Sequence, residues 1–85
     1  MGKNKTKYSK TIACLAIVYL LKNKIGDGSS DYIKNILGLE SRYVLYKYIQ
    51  EINFFFCESR LIFGYDINLE IKYDHVEKKY MLVEI

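Results

Sequence analysis

The segment Ser29–Ile52 decides the fold, and it reads SSDYIKNILGLESRYVLYKYIQEI. Its first part predicts a short helix over Ser30–Leu37, because the side chain of Ser29 can cap the first turn. Gly38 then ends that helix, since glycine adopts the left-handed conformation of a helix C-terminus at little cost. The apolar side chains expected to face inward from this helix are Ile33, Ile36 and Leu37.

The rest of the segment predicts a longer helix, which begins near Glu40 or Ser41 and continues to about Ser59. Its buried stripe is defined by the spacing i, i+4, i+7 and i+11 of Leu45, Ile49, Ile52 and Phe56. The run Phe54–Phe56 widens the apolar face at the far end of this helix. That breadth predicts a packing partner beyond the neighbouring helix, for which a second copy of the protein is one candidate.

Another helix is predicted upstream, over residues 8–24, with Ser9 or Thr11 as its cap and Gly26 beyond its end. The run Ile12–Leu21 places apolar side chains on nearly every face, which predicts that this helix is the most enclosed one. Lysines stand on both sides of the run and no small-residue cleavage site follows it, so it does not fit a secretory signal. Its ten residues are too few to span a bilayer, and no membrane partner is expected.

Downstream of Gly64, apolar residues recur at every second position rather than at every third or fourth. Residues 67–73 alternate apolar and polar side chains, which is typical of a half-buried strand. A polar turn over Asp74–Lys78 and a second strand over Lys79–Ile85 complete a β-hairpin. Residues 61–65 fit either an extension of the long helix or a short strand.

Together these elements predict one α+β domain over residues 1–85, with three helices followed by a C-terminal β-hairpin. In that order the hairpin lies beside the last helix, which is the arrangement of a winged helix-turn-helix. Residues 1–7 are expected to form a flexible basic arm ahead of the domain.

The positive charge of the chain is concentrated near its N-terminus. Residues 1–25 contain six lysines and no acid, whereas the formal charge of the whole chain is only +3. A lysine-rich N-terminal part of this kind can contact nucleic-acid phosphates or an acidic protein surface. The alternative is that it forms a tail that contacts only solvent. The abundance of Lys, Ile, Asn and Tyr, whose codons are AT-rich, is typical of an AT-rich genome such as that of a mobile element or virus.

The segment Ser29–Ile52 resembles the N-terminal helix-turn-helix of DeoR-like and WYL-type bacterial transcription regulators. In that family, a Leu-Gly-hydrophobic-Ser turn often precedes a recognition helix that reads Arg-Thr-hydrophobic-Tyr-Arg-Asp-Ile. The stretch IKYDHVEKKYML, residues 71–82, resembles the wing of the same family. The resemblance covers residues 12–83 in order, and it implies a winged helix-turn-helix that binds DNA.

Residue by residue, the resemblance implies that Ser41 caps the recognition helix and that Tyr46 faces phosphate. Lys47 stands where the family has arginine, and Ile49 matches its core isoleucine. The chain departs from the family pattern by one additional residue between Gly38 and Ser41, and by the substitutions Tyr43, Val44 and Tyr48 for the usual Arg, Thr and Asp. The predicted recognition helix is therefore less cationic than a typical DNA reader.

The predicted DNA-binding residues share a position on the exposed side of the long helix or on the hairpin, and they are Ser41, Arg42, Tyr43, Tyr46, Lys47, Lys78 and Lys79. Arginine can read the edge of guanine, and tyrosine can bond phosphate. Acidic residues lie beside Lys78 and Lys79. The alternative to DNA binding by these two lysines is therefore a turn that contacts only solvent. Tyrosine also suits protein interfaces, because it combines a large apolar area with a polar tip.

Candidate metal-binding and catalytic residues are few. Cys14 and Cys57 lie in apolar stretches and are expected to be buried reduced thiols, with a disulfide between them as the alternative. His75 is the single histidine, so no metal site is expected. No catalytic arrangement or phosphate-binding glycine motif is present, and neither an enzyme nor a cofactor is predicted.

These observations lead to two hypotheses of function. The first is a small cytoplasmic transcriptional regulator that binds double-stranded DNA, and binds it as a homodimer because a single module contacts few phosphates. The second is a protein-binding winged-helix module, such as a phage- or plasmid-encoded inhibitor or co-factor of a host complex.

Overall fold

The computed structural model describes residues 8–85 as a small α+β domain in which three helices precede an antiparallel two-stranded hairpin. The elements in chain order are α1 (Lys10–Lys22), α2 (Ser30–Leu37), α3 (Arg42–Leu61), β1 (Leu69–Asp74) and β2 (Lys79–Glu84). The predicted layout of three helices and a hairpin is confirmed. The predicted basic arm, residues 1–7, lies outside the described residues.

Each helix begins at a serine whose side chain satisfies a backbone amide of the first turn. The three capping residues are Ser9, Ser29 and Ser41. Their hydroxyl oxygens accept hydrogen bonds from the amides of Ile12, Tyr32 and Val44 at 3.2, 3.1 and 3.3 Å, respectively. These bonds satisfy amides that have no partner within the helix, so the sequence places all three helix starts.

The turn between α2 and α3 depends on Gly38, which has φ 67° and ψ 34°. In this left-handed conformation the amides of Gly38 and Leu39 donate to the last carbonyls of α2, at 3.2 and 2.9 Å. Leu39 then turns inward and is buried. Of the two residues between Gly38 and Ser41, Leu39 packs in the core and Glu40 is exposed.

The hydrophobic core lies between one face of each helix and β1. It contains the predicted stripe of α3 together with side chains of α1, α2 and the hairpin, namely Ala13, Ile17, Leu21, Ile33, Leu37, Leu39, Leu45, Ile49, Ile52, Phe56 and Ile71. The prediction that Ile36 faces inward is wrong, because its side chain is exposed. Ile33 and Leu37, the other two residues predicted to face inward, are buried.

The prediction that the first helix is the most enclosed one is also wrong. Ala13 and Ile17 on its inner face are fully buried, but Ile12, Leu15 and Tyr19 on its outer face are each more than half exposed. Only one side of α1 faces α3 and β2. No element within residues 8–85 covers the other side.

In the segment 61–65, for which the sequence fits two conformations, Leu61 belongs to α3 and residues 62–65 form a loop. Helix α3 continues to Leu61, and the amide of Tyr65 then donates to the carbonyl of Ser59 at 3.0 Å. The side chains of Ile62, Phe63 and Tyr65 are exposed. The first strand therefore begins later than predicted, at Leu69.

Among the described residues, the hydroxyl of Ser59 is the one buried side-chain polar atom without a hydrogen-bond partner. We expect Ser59→Ala to raise the free energy of unfolding by about 1 kcal/mol, because it removes an unsatisfied hydroxyl and improves helix propensity. Urea unfolding of the two proteins measures this difference. A less stable Ser59→Ala protein would show that the hydroxyl is satisfied by a bond absent from the structure.

The hairpin turn is fixed by Asp74, whose Oδ1 accepts hydrogen bonds from the amides of Val76 (2.9 Å) and Glu77 (3.1 Å). These bonds hold the pKa of Asp74 below its usual value. Lys78 completes the turn in the left-handed conformation, with φ 58°. The resulting register places Tyr73 opposite Tyr80.

Hydrogen bonds on both edges fix the hairpin to the rest of the domain, through the loop between α1 and α2 and through α3. On the β2 edge, the amide of Tyr80 donates to the carbonyl of Gly28 at 2.8 Å. On the β1 edge, the Asn53 side chain donates to the carbonyl of Ile71 at 3.0 Å and accepts from its amide at 2.8 Å. Asn53 thus pairs with β1 as a neighbouring strand would, and it sets the distance between α3 and the hairpin.

Candidate functional site

An open cleft lies between the exposed side of α3 and the hairpin. We call it the α3–hairpin cleft, and its volume is about 560 Å³. Residues of α3, of the hairpin and of the start of α2 line it, namely Ser30, Arg42, Tyr43, Tyr46, Ile49, Gln50, Asn53, Ile71, Tyr73, His75 and Tyr80. The bonds between Asn53 and Ile71 form its floor and hold its two walls together.

Aromatic side chains form the hairpin wall of this cleft. The rings of Tyr73 and Tyr80 meet edge to face, with their centroids 4.8 Å apart. The ring of His75 also meets Tyr73 edge to face, with the centroids 5.0 Å apart. Burial raises the pKa of Tyr80, against the opposing effect of its hydrogen bond with the Ser30 side chain. Interlocked rings of this kind form a firm apolar wall with polar tips.

Arg42 stands at the mouth of the cleft in a bidentate ion pair with Asp31. Its Nε and Nη2 atoms donate to the two carboxylate oxygens of Asp31 at 3.1 and 3.2 Å. Both side chains are largely exposed, and ion pairs in such positions contribute little to stability. Asp31 therefore offsets the charge of Arg42 without fixing it, and a phosphate or guanine can compete for the guanidinium.

Lys47 and Tyr46 supply a cation and a hydrogen-bond donor on the exposed side of α3. The Nζ of Lys47 lies 5.5 Å from the ring centroid of Tyr43, within the range of a cation–π contact. The hydroxyl of Tyr46 accepts a hydrogen bond from Gln50 at 3.0 Å. Its own hydrogen remains free to donate, so Tyr46 can bond an anionic oxygen.

The structure brings together only part of the predicted set. Arg42, Tyr43 and Tyr46 line the cleft, and Lys47 contacts Tyr43 beside it. The oxygen of Ser41 is engaged as the cap of α3.

The two predicted hairpin lysines lie elsewhere. Lys78 lies in the turn, outside the cleft lining. Lys79 lines a different cavity beside Gly28 and Asp27, where it contributes to the lowered pKa of Asp27. The main cause of that lowered pKa is the hydrogen bond from the Ser29 amide.

Sequence reasoning missed three features of this site. The partner of Arg42, Asp31, lies one helix away, and no spacing rule joins the two. The rings of Tyr73 and Tyr80 could have been found from the predicted turn, because a hairpin closed over Asp74–Lys78 pairs the residues that flank it. No pattern in the residues near Asn53 predicts its contact with β1.

Residues 8–85 offer no metal site, disulfide or membrane span. No group of three or more His, Cys, Asp or Glu residues there could hold a metal ion. Cys14 and Cys57 are free and only half-buried, so the prediction of buried thiols was too strong. Burial still raises the pKa of the Cys14 thiol. None of the helices in this part of the chain has the length and hydropathy that a transmembrane span requires.

No protein-family model, curated protein or solved structure matches the chain. Its function is therefore inferred from the geometry of the cleft and the charges around it.

Proposed function

We propose that the chain is a cytoplasmic transcriptional regulator that binds double-stranded DNA as a winged helix-turn-helix. In this proposal α3 enters the major groove and the hairpin is the wing. One observation carries it: the N-terminal half of α3 follows a left-handed glycine turn and exposes Arg42, Tyr43, Tyr46 and Lys47 beside the hairpin. The recognition helix of a helix-turn-helix contacts base edges with residues in this part.

The chemistry of these side chains assigns them different tasks on DNA. Arg42 has the planar bidentate donors that read the O6 and N7 atoms of guanine, once it leaves Asp31. Tyr46 and Lys47 suit phosphate oxygens, which position the protein without reading sequence.

The charge around the cleft limits the expected affinity. Asp31, Asp74 and Glu77 offset much of the positive charge on α3 and the hairpin. We therefore expect few phosphate contacts, and a slope of log K against log salt of about −3 to −5 with the lysines near the N-terminus included. Binding to random-sequence DNA should be in the micromolar range or weaker at physiological salt.

The test is a fluorescence anisotropy titration of the full chain with a labelled random-sequence duplex at several salt concentrations. Lys47→Ala should weaken binding by roughly 5- to 10-fold and reduce the salt slope by about 1, because one phosphate contact is lost. Asp31→Asn should tighten binding by roughly 3- to 10-fold, because it releases Arg42 and removes a negative charge near the phosphates. Lys34→Ala, which removes a lysine of α2 that does not line the α3–hairpin cleft, is the matched control and should change the Kd by less than about 2-fold.

Two results would reject this proposal. One is the absence of binding at low salt, or binding that does not depend on salt. The other is an Asp31→Asn protein that binds no more tightly than the wild type while Lys47→Ala has no effect.

A second candidate is a protein-binding module that uses the same cleft. The observation that favours it is the aromatic lining of Tyr43, Tyr46, Tyr73 and Tyr80, next to an arginine whose charge is offset. Tyrosine and arginine are both enriched where proteins bind each other. Failure of the DNA titration would leave this candidate in place, and Tyr43→Ser should then weaken capture of the partner whereas Tyr19→Ser should not.

A further inference from the structure

A second surface, on the other side of α3, is apolar and uncovered. The helices α1 and α3 enclose a groove of about 530 Å³ that no hairpin residue lines. We call it the α1–α3 groove, and its apolar lining consists of Cys14, Leu15, Val18, Tyr19, Phe55 and Phe56 together with Ile52.

The side chains at the edges of this groove are far more exposed than core residues. Leu15 is 67%, Tyr19 62% and Phe55 53% exposed. Two further exposed residues extend the patch, because Ile12 precedes Leu15 by three positions on α1 and Ile62, the C-cap of α3, follows Phe55 by seven. At roughly 100 Å² per side chain, these five residues expose on the order of 500 Å² of contiguous apolar surface.

We infer that the α1–α3 groove is the interface of a symmetric homodimer, and that a second copy of this chain covers it. A standard interface buries about 800 Å² on each partner, of which about 65% is apolar in homodimers. The apolar part of such an interface is close in area to the apolar patch exposed here. A patch of this size lies near the upper limit of what monomeric proteins expose.

The charges at the rim of the groove point to a second copy rather than to a partner of one charge. Lys10 and Lys22 line the α1 side of the groove, and Glu51 lines the α3 side. Glu58 follows Glu51 by seven positions on the same side of α3, beyond the residues that line the groove. Lys10 and Glu51 already pair across the groove at 3.2 Å. A two-fold axis brings a patch against itself, so the cations on α1 of one copy can meet the acid on α3 of the other. An anionic membrane or an acidic protein would leave Glu51 facing a like charge.

The position of the groove leaves the α3–hairpin cleft open in the dimer. Phe55 lies twelve residues beyond Tyr43 on α3, which is roughly 18 Å along the helix axis. The two sites also occupy different sides of this helix, because no residue lines both. The homodimer is therefore compatible with DNA binding but does not depend on it.

Sedimentation equilibrium of the full chain without DNA tests this inference. We expect the wild type to shift with concentration from its monomer mass of 10.1 kDa to about twice that value, with a dimer Kd on the order of 10 μM. Phe55→Asp and Leu15→Asp should each raise the dimer Kd by at least about 100-fold, because each places a carboxylate in the apolar interface. Both side chains are exposed in one copy, so circular dichroism should show an unchanged fold.

Phe54→Asp is the matched control, since Phe54 precedes Phe55 and is 66% exposed but does not line the groove. It should change the dimer Kd by less than about 3-fold. A second measurement uses the two cysteines: alkylation of Cys14, which lines the groove, should slow as the concentration rises, whereas alkylation of Cys57 should not.

The inference is overturned if the wild type stays monomeric up to about 1 mM, in which case the groove serves a different partner. It is also overturned if Phe54→Asp dissociates the dimer as strongly as Phe55→Asp. Because mass is measured without DNA, a monomer that still binds duplex would reject the dimer alone.

Discussion

Replacing Asn53 with alanine is expected to lower the free energy of unfolding by about 2–4 kcal/mol. The substitution removes both hydrogen bonds to the backbone of Ile71, at 2.8 and 3.0 Å. Ile71 is only 3% exposed, so water cannot readily replace the amide side chain. The variant therefore leaves a buried amide and a buried carbonyl unsatisfied, and each costs about 1–3 kcal/mol.

Urea unfolding measures this loss, and hydrogen exchange localises it. The Ile71 amide should exchange at least about 10-fold faster in Asn53→Ala, because the loss of its acceptor separates β1 from α3. Gln50→Ala is the control on the same helix, since Gln50 is exposed and its side chain bonds Tyr46 on its own helix. It should change stability by less than about 0.5 kcal/mol. Equal effects of the two substitutions would show that Asn53 does not fix the hairpin.

Leu45→Ala is expected to cost about 3–5 kcal/mol, the largest effect that we predict for a single substitution. Leu45 is fully buried, at 0% exposure, and it is the first residue of the α3 stripe. Truncation loses its burial and leaves a cavity that the core fills only in part. For a domain of this size, such a loss is a large share of the total stability.

The matched control is Leu61→Ala, the same substitution on the same helix at a residue that is 73% exposed. It should cost less than about 0.5 kcal/mol in a thermal or urea unfolding experiment. Leu45→Met, which keeps most of the volume, should cost less than about 1.5 kcal/mol. If Leu45→Ala were no more costly than Leu61→Ala, the start of α3 would not be packed as described, and the outward direction of Tyr43 and Tyr46 would lose its basis.

The helices and the turn between them could be predicted because their signals are local. A capping serine bonds an amide three residues away, and Gly38 ends α2 through its own backbone conformation. The stripe from Leu45 to Phe56 arises from helical periodicity alone. These features depend on neighbours in sequence, and the structure confirms them.

The burial of α1 could not be predicted, because it depends on what lies against each face. The run Ile12–Leu21 is apolar all round, which is equally consistent with a helix enclosed by its own domain and with one that exposes a face to another molecule. The structure shows the second pattern within one copy: Ile17 is buried, and Leu15 is exposed.

The candidate site was predicted only in part, because sequence periodicity groups residues of one element but not residues of different elements. Arg42, Tyr43 and Tyr46 share one exposed side of a helix, so periodicity groups them correctly. Lys79 was grouped with the site because it is close in sequence, yet its neighbour Tyr80 lines the cleft and strand side chains alternate between faces. The bond between Asn53 and Ile71 joins residues eighteen positions apart, and only the tertiary structure reveals it.

The central claim is that the side of α3 beside the hairpin contacts duplex DNA, and nuclear magnetic resonance tests it most directly. Amide resonances of the full chain are followed as a short duplex is added at low salt. We predict that the largest shifts fall at residues 41–47 and at Tyr73, His75 and Tyr80, which line the hairpin side of the cleft, while the amides of Leu15 and Phe55 change little. Shifts centred on the α1–α3 groove, or no shifts at residues 41–47, would contradict the claim.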